Sequence, residues 1–314
     1  MKNLICFYLC NLILISTGYA EGIRCESVTE ESLFFGDQTV KLIYSVQSTR
    51  TREVELKWHV SRNQVVIASR QRTLKLFANR KTKTEIELEF PKPRAGIPLE
   101  LKLSIVIDSN PVHQRVLRVV SRNPLSSLKK QIVLYDPVGT TRKLFSAVDV
   151  SHRVIHREAE FADVRDSIIL IGEGISWSES RTLSQTIRQC LQRENQVICL
   201  CPEDGKISLT DLLDSDLNFA GQLQFSDSRI IQKLIPGVLK SSLQTDGELE
   251  SKTLHLAGMR NGISLEVQKN AEGWIWMEYQ QPNLNSQFIV CMLPVVSKWN
   301  DGPLPRHLLA AILK

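Results

Sequence analysis

Apolar and polar residues alternate with period two through most of the first third of the chain, between residues 36 and 120. The alternation is clearest at 40–46, 54–60, 86–90 and 99–107, and shorter runs occur at 65–68, 74–77 and 115–120. Short antiparallel strands with one buried and one polar face have this pattern. About seven such strands predict a β-sandwich, with Trp58 as its central core aromatic residue.

The hydrophobic pattern changes after residue 130. Three apolar runs rich in β-branched residues, 132–135, 167–172 and 196–201, are each closed by Gly, Asp or Pro, as strands buried on both faces of a parallel sheet are. Between the last two runs, Ser176 and Glu179 have capping-box spacing, and apolar residues then recur on one helical face from Leu183 to Leu191. A strand, helix and strand at this spacing predict a doubly wound α/β domain.

The domain organisation follows from these two patterns. Residues 122–127 form a short linker, because Pro124 stops strand pairing. We therefore expect an immunoglobulin-like β-sandwich at 21–124 and an α/β domain at 125–314. In the second domain we also expect helices after Thr140, at 226–235 and after Pro303, and strands at 152–157, 263–267, 274–279 and 287–293.

The N-terminus has the three regions of a secretory signal peptide. Lys2 is followed by an apolar stretch from Leu4 to Ile15, and small residues precede a cleavage point after Ala20. No later segment is long and apolar enough to span a bilayer, so an exported protein, periplasmic or secreted, is expected. Five cysteines remain after cleavage, and we expect them to be buried thiols rather than a disulfide framework.

Charge is modest and unevenly distributed. The formal net charge is +5; residues 21–125 carry 18 Lys and Arg against 12 Asp and Glu, and residues 126–314 carry 20 against 22. Basic residues cluster between Arg70 and Lys83 with one aromatic, Phe77, among them. A solvated sheet face is the favoured interpretation, polyanion binding is the alternative, and nucleic acid is not an expected partner.

Polar residues that carry chemistry gather where predicted parallel strands end. Asp136 follows the first strand, Gly172, Glu173 and Gly174 follow the next, and Glu203 and Asp204 follow the third. Open α/β sheets bind ligands at this carboxyl edge, so these six residues are the candidate ligand-binding site. Paired carboxylates there can do acid–base work or hold a cation, although loop carboxylates are commonly solvated.

Other motifs are weaker. The Gly-Thr-Thr at 139–141 could hold an anion at a helix start, but a simple turn and helix cap is favoured. His59 and His113 have no companion at ligand spacing and are expected to be exposed. The chain has no P-loop, Gly-x-Ser-x-Gly, His-Glu-x-x-His or Cys-x-x-Cys, so neither a metal nor a cofactor is predicted.

The order of the runs 132–137, 169–174 and 197–202, with 299–313 at the end, resembles class I glutamine amidotransferase-like α/β domains, including non-catalytic versions in exported planctomycete-type proteins. That resemblance implies a flavodoxin-like fold. Active members carry a nucleophilic Cys on a Gly-x-Cys-x-Gly elbow and a later His with a carboxylate. No cysteine of this chain lies in such an elbow, and neither His255 nor His307 has the family's context, so no catalytic residue is carried over.

The leading functional hypothesis is an exported, non-catalytic binding or assembly protein. Its partner would be an unidentified protein or carbohydrate, at the cell envelope or beside carbohydrate-degrading proteins. The alternative is a divergent hydrolase or lyase that uses Glu173, Glu203 and Asp204, with a metal or with Cys201.

Overall fold

The structure is a computed structural model that describes residues 22–180, 182–203, 206–208, 223–236, 238, 242–251, 254–260, 263–267, 274–280 and 285–314. The predicted signal peptide lies outside these residues. The described chain contains both strands and helices and divides into two compact units. The first comprises the residues up to Thr29 with Thr39–Glu89 and Glu100–Leu117; the second comprises Glu30–Gln38, Phe90–Leu99 and Arg118–Lys314.

The first unit contains most of two sheets. One has the strand order β1-β3-β6, where β1 is Ile23–Ser27, β3 is Gln38–Ser48 and β6 is Lys81–Phe90. The other has the order β2-β8-β7-β4-β5, where β2 is Leu33–Phe35, β4 is Arg52–Arg62, β5 is Val65–Leu76, β7 is Leu99–Ile107 and β8 is Asn110–Val120. Strand β2 and the end of β8, with which it pairs in parallel, belong to the second unit.

The predicted alternation is realised most regularly in β4. Val54, Leu56, Trp58 and Val60 are buried, and the residues between them are only partly buried. Trp58 is therefore a core residue, as predicted. Strand β5 differs from the prediction, because 65–68 and 74–76 belong to one continuous strand rather than two, and Phe77 lies beyond its end. Of the polar residues between them, Arg72 is half-buried and the others are exposed, on an edge strand where burial does not enforce alternation.

The second unit contains a seven-stranded sheet with the order β10-β9-β11-β12-β18-β17-β14. Its strands are β9 Ile132–Tyr135, β10 Arg153–Ile155, β11 Ile168–Ile171, β12 Gln196–Leu200, β14 Leu223–Ser226, β17 Trp276–Gln280 and β18 Gln287–Cys291. From β10 to β18 neighbouring strands are parallel, whereas β17 is antiparallel to both β18 and β14. All residues of β9 and β11 are buried, as their continuous apolar runs predicted.

The described helices of the second unit are α1 Thr140–Ala147, α2 Leu183–Leu191, α3 Arg229–Leu234, α4 Ser242–Thr245 and α5 Pro303–Ile312. Short 3-10 helices span Pro124–Ser127 and Glu158–Asp163. A separate small sheet has the order β13-β15-β16, formed by Lys206–Ser208, His255–Arg260 and Ile263–Val267.

The predicted start of α2 is wrong. The helix begins at Leu183 rather than at the Ser176–Glu179 capping box, and its N-cap is Thr182. The side chains of Ser176 and Ser178 hydrogen-bond to each other at 2.9 Å instead of capping a helix. The apolar face of the helix was predicted correctly, because Leu183, Ile187, Cys190 and Leu191 are all buried.

Candidate functional site

The carboxyl edge of the parallel strands brings the predicted site residues together. The backbone N–H of Gly172 donates to the carbonyl of Tyr135 at 2.8 Å, that of Gly174 to Cys201 at 3.0 Å, and that of Glu203 to Ile175 at 2.8 Å. The loops after β9, β11 and β12 are thus joined by main-chain hydrogen bonds. Of the six candidates, Asp204 lies outside the described residues.

Glu173 is buried and its carboxylate accepts two backbone hydrogen bonds. Oε2 accepts from the N–H of Val296 at 2.8 Å, and Oε1 accepts from the N–H of Ser297 at 3.2 Å. Its own N–H donates to Oγ1 of Thr141 at 3.0 Å. The side chain therefore fixes the turn that follows β18 and leads towards α5, as a capping carboxylate does at a helix start.

Asp136 is buried in the same way. Oδ1 accepts from the N–H of Gly139 at 3.0 Å, and Oδ2 accepts from the N–H of Arg142 at 2.7 Å. These donors lie at the N-terminus of α1, where the sequence suggested an anion site. The carboxylate of Asp136 therefore occupies the anion position at this helix N-terminus.

The candidate glycines serve different purposes. A Cβ on Gly172 would lie 2.4 Å from Oδ1 of Asp136, so a side chain at this position is excluded by close packing. Gly174 has φ +91°, a left-handed conformation that glycine adopts without strain, and its nearest neighbouring atom lies 3.7 Å from a built Cβ. Gly172 is therefore explained by its close approach to Asp136, and Gly174 by its backbone conformation.

Cysteines near this edge are buried thiols. The Sγ of Cys201 donates to the carbonyl of Met292 at 3.4 Å, and its N–H donates to the carbonyl of Cys291. Burial raises the pKa of Cys291 far above its ordinary value. The thiolate is the nucleophilic form of cysteine, so Cys291 is in the inert state at neutral pH. All five described cysteines are free and buried, which confirms the prediction of buried thiols.

Two features of this edge were not predicted from the sequence. The donors to Glu173 are the main-chain N–H groups of Val296 and Ser297, more than 120 residues away, and main-chain donors leave no mark in a sequence. The hydroxyl of Thr141 lies in the Gly-Thr-Thr turn, and no sequence pattern connects it with the N–H of Glu173 that it accepts. Within the described ranges, no group of three His, Cys, Asp or Glu side chains is placed to hold a metal ion.

One histidine prediction is wrong. His113 is buried rather than exposed, with its ring edge-on to Tyr44 at a centroid distance of 5.3 Å. Burial, and then the nearby Arg115, lower the pKa of His113. His59 is partly exposed and lines a cavity of about 410 Å³ on the five-stranded sheet.

A larger cavity, of about 620 Å³, lies at the amino ends of β9 and β10, away from the predicted site. Its lining includes apolar residues such as Leu128 and Val150 and the charged residues Lys129, Lys130, Asp149 and Arg153. Open α/β sheets use the carboxyl rather than the amino ends of their strands for ligands. This cavity therefore does not extend the predicted site.

Comparison with known proteins gives no close relative. No family model matches the chain, and no curated protein matches it.

Among the described residues, no helix is both long and apolar enough to cross a lipid bilayer.

Solved structures resemble part of the chain weakly. An alkylpurine DNA glycosylase, AlkC, from Pseudomonas fluorescens, bound to DNA containing an abasic site analog, is 7% identical with a TM-score of 0.26 over 32% of this chain and 31% of that one. A β-glucosidase from Listeria innocua is 8% identical with a TM-score of 0.26 over 32% and 16%. The CARDB domain of the PF1109 protein from Pyrococcus furiosus, in complex with di-metal ions, is 9% identical with a TM-score of 0.25 over 32% and 86%.

The chain spans less than a third of the length of the glycosylase and the glucosidase that it matches. Scores this low identify neither a fold nor a function for it.

Proposed function

We propose that the chain is an exported, non-catalytic binding or assembly protein made of an immunoglobulin-like sandwich and a flavodoxin-like, glutamine amidotransferase-like α/β domain. The observation that carries the proposal is the burial and hydrogen bonding of the carboxylates at the carboxyl edge of the sheet. Asp136 and Glu173, the carboxylates best placed for chemistry, are buried and each accept two backbone N–H groups. A carboxylate held by such donors caps the fold rather than faces a substrate.

The strand order supports the α/β assignment. Numbered along the chain, the five parallel strands β9, β10, β11, β12 and β18 lie in the spatial order 2-1-3-4-5. This is the order of flavodoxin-like doubly wound sheets. The antiparallel strands β17 and β14 then extend the sheet beyond the parallel part.

The sheet composition of the first unit supports the immunoglobulin-like assignment. Strands β1, β3 and β6 correspond to strands A, B and E of that fold, and β8, β7, β4 and β5 correspond to G, F, C and C′. Trp58 is buried on β4, which is the position of the characteristic core tryptophan on strand C. The cysteine pair of antibody domains is missing from the flanking strands.

Export rests on the N-terminal sequence. Amino-terminal sequencing of the protein recovered outside the cytoplasm should begin at Glu21 if cleavage follows Ala20. Recovery of a chain that still begins at Met1, in the cytoplasmic fraction only, would contradict export. The partner is a protein or a carbohydrate.

Turnover measurements test the absence of catalysis. The exported chain is assayed against nitrophenyl esters, glycosides and anilides, beside the variants Glu173→Gln and Glu203→Gln. We expect no turnover above the buffer blank for any of the three proteins. Turnover by the wild-type chain that is lost in a variant whose circular dichroism shows that it is folded at the assay temperature would contradict the proposal and support a hydrolase that uses the sheet-edge carboxylates.

A further inference from the structure

Strand β5 is an edge strand with one neighbour. Its residues from Val65 to Leu76 pair with β4 except at Ile67, where the register shifts, and it ends the sheet order β2-β8-β7-β4-β5. Within the described part of the chain no other strand pairs with its outer side. A strand of twelve residues thus presents a row of N–H and C=O groups on which another strand can be added.

The free edge is apolar at one end. Val65, Val66 and Ile67 are 65%, 54% and 49% exposed, and they follow the hairpin turn at Asn63 and Gln64. Three consecutive exposed aliphatic residues on an edge strand are what natural proteins normally avoid, because they promote pairing with other chains. Their presence here indicates a surface that is covered when the protein is bound to a partner.

The rest of the edge is basic. Strand β5 carries Arg70, Arg72 and Lys75 and has no Asp or Glu. Arg70 is neutralised within the unit by Glu89 at 2.7 Å. Neither Arg72 nor Lys75 forms an ion pair with a described carboxylate: the guanidinium of Arg72 lies 6.0 Å from the centre of the Trp58 ring, and the ammonium of Lys75 lies 5.8 Å from that of Phe77. The Nε of Arg72 is buried and has no hydrogen-bond partner among the described residues.

We propose that β5 binds an extended acidic segment of a partner protein by strand addition. Main-chain hydrogen bonds along the edge would supply affinity, the aliphatic end would cover apolar side chains, and Arg72 and Lys75 would select carboxylates. A second copy of the chain does not fit, because pairing β5 with itself brings the Arg72 and Lys75 cations of both copies onto one edge. This inference rests on the proposed binding role and gives it a partner class.

A labelled peptide tests strand addition. Arg72 lies opposite Leu56 and Lys75 opposite Glu53, so the two cations are on opposite faces of β5 and a partner strand needs one carboxylate on each face. The probe is therefore the fluorescein-labelled sequence Thr-Val-Glu-Val-Val-Glu-Val-Thr, with its two Glu three residues apart, and its fluorescence anisotropy is followed during titration with the exported chain. We expect saturable binding that weakens at least about tenfold in the double variant Arg72→Glu/Lys75→Glu, because two attractions become repulsions. The matched control Lys92→Glu/Lys102→Glu changes the net charge equally at exposed residues outside β5 and should bind like the wild type.

Two altered peptides separate the contributions. A peptide with Gln in place of Glu should bind more weakly, and a peptide with Pro at the two central positions should not bind, because proline cannot pair along an edge. Equal binding of the proline peptide, equal loss in the control variant, or no saturable binding up to about 1 mM would overturn the proposal.

Self-association of the chain that the Arg72→Glu/Lys75→Glu variant abolishes, seen by sedimentation velocity, would also overturn it in favour of a second copy. Circular dichroism and the melting temperature show that each variant is folded. None of these results bears on catalysis, so failure here leaves the non-catalytic proposal standing, and turnover would leave the peptide result standing.

Discussion

The buried carboxylate of Glu173 is the single side chain on which the carboxyl edge most depends. Glu173→Ala leaves the N–H groups of Val296 and Ser297 without their acceptor, and it should lower the free energy of unfolding by about 2–3 kcal/mol in urea denaturation. Glu173→Gln keeps one amide oxygen and should lose less. The exposed Glu179 provides the control, since Glu179→Gln should change the free energy by no more than about 0.5 kcal/mol. Equal stability of Glu173→Ala and the wild type would contradict the capping role.

The thiols give a second prediction at this scale. Burial raises the pKa of Cys25 to about 12 and that of Cys190 to about 11, so neither is a thiolate at neutral pH. Iodoacetamide should therefore label none of the five described cysteines of the native protein within minutes at pH 8, and all of them in guanidinium chloride. Mass spectrometry counts the added groups. Rapid labelling of Cys201 in the native state would show a reactive thiol at the sheet edge.

At the scale of the element, helix α1 depends on a residue outside it. Its N-cap Gly139 has no side chain to offer and its first turn contains no acidic residue, so Asp136 supplies the capping carboxylate. Asp136→Ala should cost about 1–2 kcal/mol of unfolding free energy, as loss of an N-cap does. Lys143→Ala, on the exposed side of the same helix, should be nearly neutral. Urea denaturation compares the two variants, and equal stabilities would contradict the capping role of Asp136.

Elements with a strong period were predictable and elements without one were not. Strand β9 and the start of α5 at Pro303 match the sequence predictions, because a continuous apolar run and a proline in the first turn have few alternative interpretations. Strands β2 and β14 were missed, since three or four residues are too few to display alternation. The start of α2 was misplaced because Ser176 and Glu179 satisfy a local motif that tertiary packing overrides.

The candidate site was predictable in position but not in state. Parallel strands end at one edge, so the loops containing Asp136 and Glu173 had to meet there. Whether those carboxylates would face solvent or the interior depends on a turn contributed by Val296 and Ser297, which no local pattern connects to them. A single sequence therefore identifies where a site would lie. It does not show whether the carboxylates there are open to a ligand or bound by the chain's own N–H groups.

At the scale of the whole molecule, strand order was the least predictable property. Strand β18 lies between β12 and β17 although more than 80 residues separate it from β12 in the chain. Sequence pattern specifies that each strand is buried, but the choice of neighbour is made by the whole fold. The burial of His307 on α5 was likewise not predictable from the local pattern, which indicated only that the leucines of this helix are buried.

His307 makes the stability of the whole second unit dependent on pH. Its ring is buried and its Nδ1 has no hydrogen-bond partner in the described chain. Burial, followed by the positive charges of Lys314 and Arg118, lowers its pKa to about 4 from the ordinary 6.5. The unfolded chain therefore binds a proton between these two values while the folded protein does not, so stability is full above pH 6.5 and is lost as the pH falls towards 4.

That loss should reach up to about 3 kcal/mol, measured as the free energy of unfolding in urea at a series of pH values. His307→Phe removes both the titrating group and its unpaired nitrogen, so the variant should be as stable as the wild type at pH 7 and more stable near pH 4.5. His113, whose pKa burial also lowers, belongs to the first unit, so a pH dependence of the same sign that remains in the variant is expected for the unfolding of that unit. Parallel pH profiles of the two proteins would mean that the ring of His307 is protonated in the folded state and that water or an acceptor reaches it.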